Sequence, residues 1–333
     1  MIHKRGRVAP ETVERVERVI REVGYKPNRM ARQLSLARSY TFGIIMPELT
    51  QDSGYWKLPQ QGMERAAAEL EFANVATEYF HYDRYSAVSF QQACDRAMGA
   101  ELDGLLLAPV LSHPAQEFIH RIQDRIPYVL FDAKVPDTRE ISFIGQDSYQ
   151  SGVIAGKLMH LLAPEGGAMA VVTAGTDDDH LARRAAGFVS TFQGDTGSCI
   201  EEVHITEHRD IAEQLRNALG ERRVAGYFVT NATGHWIAEL VNGPRRRGEP
   251  DASEHTPIIA YDLIPENAEC LRWGIIDFII SQRPELQGYQ AFTAAYKQLV
   301  LQEPPQDTVT MPIDIVMREN LEHYMSASRW IPA

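Results

Sequence analysis

From Tyr40 onward the chain alternates short apolar runs with amphipathic stretches of helical period, and that alternation restricts its fold more than any other feature. TFGIIMPEL, NVATEYFHY, DGLLLAPV and PYVLFDAK read as strands. Between them stand LPQQGMERAAAELE, SAVSFQQACDRAMGA and AQEFIHRIQDR, whose apolar residues recur every three or four positions. The pattern then repeats, with SYQSGVIAGKLMHLLA, HLARRAAGFVSTFQ, IAEQLRNALG and ATGHWIAELVNG as helices. The strands of this second series are AMAVVTAG, CIEEVHIT, VAGYFVTN and TPIIAYD. Strands joined through helices run parallel, and parallel sheets are covered by helices on both faces. A chain of 333 residues exceeds one ordinary core, and the stretch from residue 40 to the end suffices for two such sheets.

Every apolar run is shorter than the roughly 18–20 residues that cross a bilayer. The opening MIHKRGRVAPETVERV also lacks the apolar core of a secretory signal, so a cytoplasmic protein with no membrane partner is expected. Cys94, Cys199 and Cys270 lie far apart with no CxxC pair, a pattern of scattered thiols rather than a disulfide framework or a structural metal. No GxSxG elbow, GKS/T phosphate loop, HExxH or strand-linked GxGxxG occurs. TDDDHLARR sets three aspartates beside His180, and the expectation there is an exposed acidic loop leading into a helix. The expected object is a binding cleft without a nucleophile: not an enzyme, and with no metal or cofactor.

In open α/β sheets a ligand lies beyond the carboxyl ends of the strands, so polar and aromatic residues that follow strands are the candidates. Ser53, Tyr55 and Trp56 follow the first strand, and paired aromatics in a polar loop can sandwich the apolar face of a ring. Asp83 follows the second strand, Asp132 the YVLF strand and Asp147 the SFIG strand. Arg184 opens the helix after Gly175, Asn231 follows GYFVT, Asp262 follows IIAY and Gln282 follows IDFIIS. Each alone is an ordinary cap or turn residue. As a set, they are expected to converge on one cleft.

Charge is unevenly divided. Residues 1–39 hold ten Lys or Arg against four Glu, a net of +6, while the remaining 23 basic and 41 acidic residues give −18. A basic arm on an acidic body points to a polyanion partner for the arm alone. Within it, APETVERVERVIREVG reads as a helix with one apolar stripe, which needs a partner element to cover it. A short possible helix follows Pro27, capped by Asn28.

The run from Gly24 to Leu34, GYKPNRMARQL, matches the G-Y-x-P-N-x-x-A-R-x-L signature of the LacI/GalR family of bacterial transcription regulators at nearly every fixed position. The chain as a whole resembles that family. The resemblance implies a two-lobed periplasmic-binding-protein type I fold, an α/β architecture of two parallel sheets flanked by helices, preceded by a short helical remnant of a DNA-binding headpiece. It implies a headpiece remnant over residues 1–25 and a hinge helix with its linker over 26–39. The N-terminal lobe would comprise 40–145 with 284–307, and the C-terminal lobe 146–282 with 312–333. Crossovers would then lie near Ile144–Asp147, Gln282–Pro284 and Asp307–Pro312.

The resemblance also assigns roles. The family's N-P-F-[FY] loop corresponds to Ser53-Gly54-Tyr55-Trp56, with Asn and Pro replaced and the aromatic pair retained. Its R-x-x-G-[FW], whose Arg commonly grips the effector, is Arg184-Ala185-Ala186-Gly187-Phe188. Asp132, Asn231, Asp262 and Gln282 stand at further contact positions, implying a sugar effector, a homodimer and operator DNA as partners. In the hinge, Asn28 would start the helix, Arg29 and Arg32 would neutralise phosphates, and Leu34 would wedge into the minor groove. The family's helix-turn-helix precedes the segment seen here, and Pro10–Val23 corresponds to its third headpiece helix. The chain as written is therefore expected not to read an operator through the major groove. A sugar sensor without specific DNA binding, or a periplasmic sugar-binding protein, remains an open alternative.

Overall fold

The computed structural model describes residues 39–70, 74–175, 178–205, 210–220, 222–249 and 254–327, together with Arg15 and Arg18, both helical and exposed. The hinge candidates Asn28, Arg29, Arg32 and Leu34 lie outside the described residues. From Tyr40 the elements run β1 (Tyr40–Pro47), α1 (Lys57–Glu69), β2 (Val75–Tyr82), α2 (Ala87–Gly99), β3 (Gly104–Leu107), α3 (Ser112–Ile122), β4 (Tyr128–Phe131) and β5 (Ser142–Gln146). A second series follows with α4 (Ser148–Leu162), β6 (Gly167–Ala174), α5 (Asp179–Ser190), β7 (Ser198–Ile205), α6 (Ile211–Leu219), β8 (Val224–Val229), α7 (Gly234–Val241), α8 (Gly243–Arg246), β9 (Ile258–Tyr261), α9 (Pro265–Arg272) and β10 (Phe278–Ser281). The last described elements are α10 (Pro284–Tyr296), β11 (Thr308–Met311), β12 (Asp314–Val316) and α11 (Leu321–Ala327).

Two six-stranded sheets result, ordered β11-β5-β4-β3-β1-β2 and β12-β10-β9-β8-β6-β7. Neighbouring strands run parallel except β10 and β12, which are antiparallel. Central strands such as GLLL, YVLF and IIAY are buried at every position, which is why they read as unbroken apolar runs rather than alternating ones. Alternate residues serve opposite faces. Ile44, Leu106 and Val129 pack with Phe292 on one side of the first sheet, while Ile45, Leu107 and Leu130 pack with Phe90 and Phe118 on the other.

The lobes are joined where the chain passes from one sheet to the other: at Asp147, at Gln282–Arg283, and at Pro312–Ile313. The third passage is later than expected, because Thr308–Met311 pairs with β5 as a full strand of the first sheet. It ends where Pro312 has no amide hydrogen to continue the ladder. Gln146 likewise belongs to β5 and the first sheet. Its side-chain amide donates to the carbonyls of Ser281 at 3.2 Å and Pro312 at 2.8 Å, tying the three passages together. Among the described residues no helix is long and apolar enough to cross a membrane.

Each lobe contains one pair of closely packed helices, and glycine permits the approach. In the first lobe α1 meets α10, where a Cβ on Gly62 would strike the Glu285 carbonyl and one on Gly288 that of Pro59. In the second lobe α4 meets α5, with Gly152 against the Arg184 carbonyl and Gly187 against that of Tyr149. Gly62→Ala is expected to cost about 1–3 kcal/mol through overpacking, lowering the melting temperature by roughly 2 °C or more. An unchanged melting curve would contradict this close packing of α1 on α10.

Candidate functional site

Residues at the carboxyl ends of strands in both sheets line one small cavity between the lobes, about 20 Å³ in volume. From the first lobe come Asp52, Tyr55, Trp56, Arg84 and Asp132; from the second, His180, Arg184, Asn231 and Asp262, with Gln282 at a crossover. Asp132 and Asp262 occupy corresponding places, one residue beyond β4 and β9. Both adopt left-handed backbone (φ 68° and 60°), a region that aspartate tolerates better than most residues. Each backbone amide bonds across to the next strand, Asp132 to Ile144 and Asp262 to Ile280, so the carboxyls are set by the sheets themselves.

The aromatic pair is held by the loop after β1. Asp52 and Ser53 also have positive φ (48° and 55°), and the turn they make leads into Tyr55 and Trp56, whose rings meet edge to face at 5.0 Å. Trp56 Nε1 donates to Asp52 Oδ2 at 2.8 Å, and the Tyr55 hydroxyl donates to Asp132 Oδ1 at 2.6 Å. In the second lobe Arg184 Nη1 donates to the Thr230 carbonyl at 2.8 Å and Nη2 to Gln282 Oε1 at 3.1 Å. Its guanidinium lies over the Tyr261 ring, 3.9 Å from the centroid. Gln282 Nε2 donates to the Tyr55 hydroxyl and to Asp262 Oδ2, at 3.0 and 3.1 Å. Asn231 donates to the Ala174 carbonyl and accepts from Thr233.

Arg84 joins the lobes electrostatically. It follows β2 in the first lobe, and its two terminal nitrogens pair with Asp52 of its own lobe and Asp178 of the other. All three side chains are at least 96% buried. Gly175, at φ +120°, lies against this guanidinium; a Cβ there would sit 3.1 Å from Arg84 Nη2.

Asp52, Arg84, Asp178 and His180 are absent from the candidates that the sequence suggests. Arg84 stands one residue past Asp83, which is instead half-buried and caps its own turn by accepting from Gln51 Nε2 and the Tyr85 amide. The TDDDHLARR segment, expected as an exposed acidic loop, puts Asp178 and His180 inside. The expectation fails because Asp178 is the residue that receives Arg84. Two further expected site residues lie elsewhere. Ser53 faces His235 of the other lobe at 3.4 Å, outside the cavity. Asp147 is exposed and caps α4, accepting from the Gln150 amide at 3.0 Å beside a neighbouring hollow of about 220 Å³.

Burial governs the protonation states. It pushes Asp262 up to about 7, against the pull of Arg184, and raises Asp132 despite the Tyr55 hydrogen bond. It holds the Tyr55 hydroxyl far above its ordinary range, with Asp132 adding to the effect. Burial, reinforced by Arg184 and Arg84, drives His180 well below the usual histidine value, leaving a neutral imidazole. Four buried polar atoms of the cavity residues have no hydrogen-bond partner within the protein: Oδ1 of Asp52 and Asp262, Nε of Arg184 and Nδ1 of His180. Buried polar atoms are ordinarily satisfied, so these mark where a polar ligand would bond. Among the described residues no group of three or more His, Cys, Asp or Glu is placed to hold a metal ion.

Residues 42–303 match the periplasmic binding protein domain. The chain belongs to that family. Its curated relatives include the xylose/arabinose-binding protein XylF of Sulfolobus acidocaldarius, 26% identical over 57% of this chain and 48% of that one. They also include the HTH-type transcriptional regulators IdnR of Escherichia coli (30% identical, 31% of this chain, 29% of that one) and PtxS of Pseudomonas putida (26%, 42% and 39%). The matched segments thus span less than half the length of these relatives. Among solved structures, a putative LacI transcriptional regulator from Bacteroides fragilis superposes with a TM-score of 0.76 at 25% identity, covering 86% of this chain and 100% of that one. A glucose-galactose binding protein, GanP of Geobacillus stearothermophilus, shares the fold at TM-score 0.74 and 23% identity, over 85% and 99% of the two chains. The fold is the two-lobed periplasmic-binding-protein type I architecture.

Breaking a buried pair is far more costly than removing all of it. Arg84→Met, which leaves Asp52 and Asp178 buried and unpaired, is expected to lose about 3–5 kcal/mol of stability in urea unfolding. The triple variant D52N/R84M/D178N is expected to recover more than half of that loss. Equal losses in the two would mean that the packing of Arg84, not its charge, holds the lobes.

Proposed function

We propose that this protein is a sugar-responsive transcription regulator of the LacI type, in which an effector bound between the lobes changes the affinity of a dimer for operator DNA. The observation that carries the reading is the cleft itself: carboxylates, amides and two guanidiniums from the two lobes surround a cavity beside an aromatic pair. That mixture suits a ligand with many hydroxyls and an apolar ring face. Tyr55, Trp56, Asp132, Arg184, Asn231, Asp262 and Gln282 would contact the effector, joined by Asp52 and His180. A bound sugar would replace water in a site where Arg84 and Gln282 already span the lobes, and would so bias how far the lobes close.

Resemblance to regulators, together with the basic arm, supports the DNA-binding half of the reading. Asn28, Arg29, Arg32 and Leu34 would form the hinge helix of each subunit in a cytoplasmic homodimer, Arg29 and Arg32 at phosphates and Leu34 in the minor groove. A second reading is favoured by the XylF match, which covers more of this chain than those to IdnR or PtxS: a sugar-binding protein without specific DNA binding.

A thermal-shift panel of pentoses and hexoses is expected to yield a stabilising sugar. Adding that sugar should change the affinity for DNA selected from genomic fragments by about fivefold or more in anisotropy titrations, a coupling of roughly 1–3 kcal/mol. A sugar that binds without altering DNA affinity would favour the second reading. The absence of any sugar binding would overturn both.

A further inference from the structure

The cavity's unpaired atoms carry information about ligand charge. Two of the four are carboxylate oxygens, which accept hydrogen bonds and cannot donate them once ionised: Asp52 Oδ1 and Asp262 Oδ1. The terminal nitrogens of both guanidiniums are already engaged. Arg84 gives its terminal nitrogens to Asp52 and Asp178, and Arg184 gives its own to Thr230 and Gln282. An anionic group is ordinarily held by a fork of two parallel N–H donors; here the terminal nitrogens of both guanidiniums already bond to protein, and Nε of Arg184 is the guanidinium nitrogen buried without any partner. His180 offers no positive charge, since its buried ring is neutral.

Building on the sugar reading above, we propose that the cleft selects an unphosphorylated, non-acidic, hydroxyl-rich sugar and turns away sugar acids and sugar phosphates. Hydroxyls of such a ligand donate to the two open carboxylate oxygens and accept from Arg184 Nε. A carboxylate or phosphate in the same place meets Asp52, Asp132 and Asp262, while the terminal nitrogens of both guanidiniums are already bonded to protein.

The proposal has a signature in proton balance. Asp262 faces Arg184, Asp132, Tyr55, Tyr261 and Gln282, and in this setting titrates near 7. A hydroxyl donated to its Oδ1 favours the ionised carboxylate. Binding therefore releases protons near neutral pH, and affinity for the sugar rises from pH 6 to pH 8. An anionic ligand does the opposite, binding best to the protonated carboxyl and losing affinity over the same interval.

The test is titration calorimetry of the full chain with matched sets: glucose, gluconate and glucose 6-phosphate, and the corresponding galactose, xylose and arabinose series. The expected result is that a parent sugar binds and that its acid and phosphate bind at least about 100-fold more weakly. Heats measured in buffers of different ionisation enthalpy should report proton release. Asp262→Asn, checked for cooperative thermal unfolding, should narrow the discrimination to within about tenfold and reduce the proton release. An acid or phosphate that binds as tightly as its parent, or proton uptake on binding, overturns the proposal while leaving the sugar reading intact. If no member of any set binds, the sugar reading itself fails and the selectivity falls with it.

Discussion

Arg84 is shared by two aspartates that belong to different lobes, and this one cation links the closure of the cleft to its dryness. A buried guanidinium is tolerated only when its charge and donors are met by protein. Asp52 alone meets half of that need; Asp178 meets the rest only when the lobes are together. Once they are together, water is largely excluded, and the remaining groups respond. The carboxyls of Asp132 and Asp262 shift upward, and His180 loses its proton. The chemistry of the cavity is thus a property of the closed arrangement rather than of either lobe.

The two lobes repeat one plan. Their strand orders correspond position by position, the fourth strand of each series is followed by an aspartate with left-handed backbone, and each lobe packs one helix pair through facing glycines. The repetition puts Asp132 and Asp262 on opposite walls of the same cavity. It breaks at the sixth strands, β11 running parallel to its neighbour and β12 antiparallel. That difference follows from the final crossover, which leads directly from one sheet edge to the other without a helix between.

Most of the architecture was legible in the sequence because parallel strands buried on both faces leave continuous apolar runs, and the helices between them carry a clear period. Tyr55, Trp56, Asp132, Arg184, Asn231, Asp262 and Gln282 were legible as site candidates by a single rule, that they follow strands or open the helix after one. The same rule admitted Asp147 and Ser53, since a helix cap and a loop residue beside the cleft occupy similar sequence positions. It passed over Arg84 and Asp178 for a physical reason: a charged residue in a polar loop reads as solvated unless its partner is known. The partner in each case lies in another loop, and for Asp178 in another lobe. The expected third crossover began too early because Thr308–Met311 is a short edge strand with little apolar content.

Gln146 has a mechanical meaning. Its one amide group holds the carbonyls of Ser281 and Pro312, so the three connecting segments are pinned at a common point. The Arg283–Asp314 ion pair at 2.5 Å fastens two of them again a short distance away. Two bodies joined by one strand can swivel, bend and twist about it; joined by three that are bound to each other, they share an axle. Relative motion is then largely confined to one angle, and work done by a ligand at the far side of the cleft is delivered as torque about that axle instead of being lost among many small displacements.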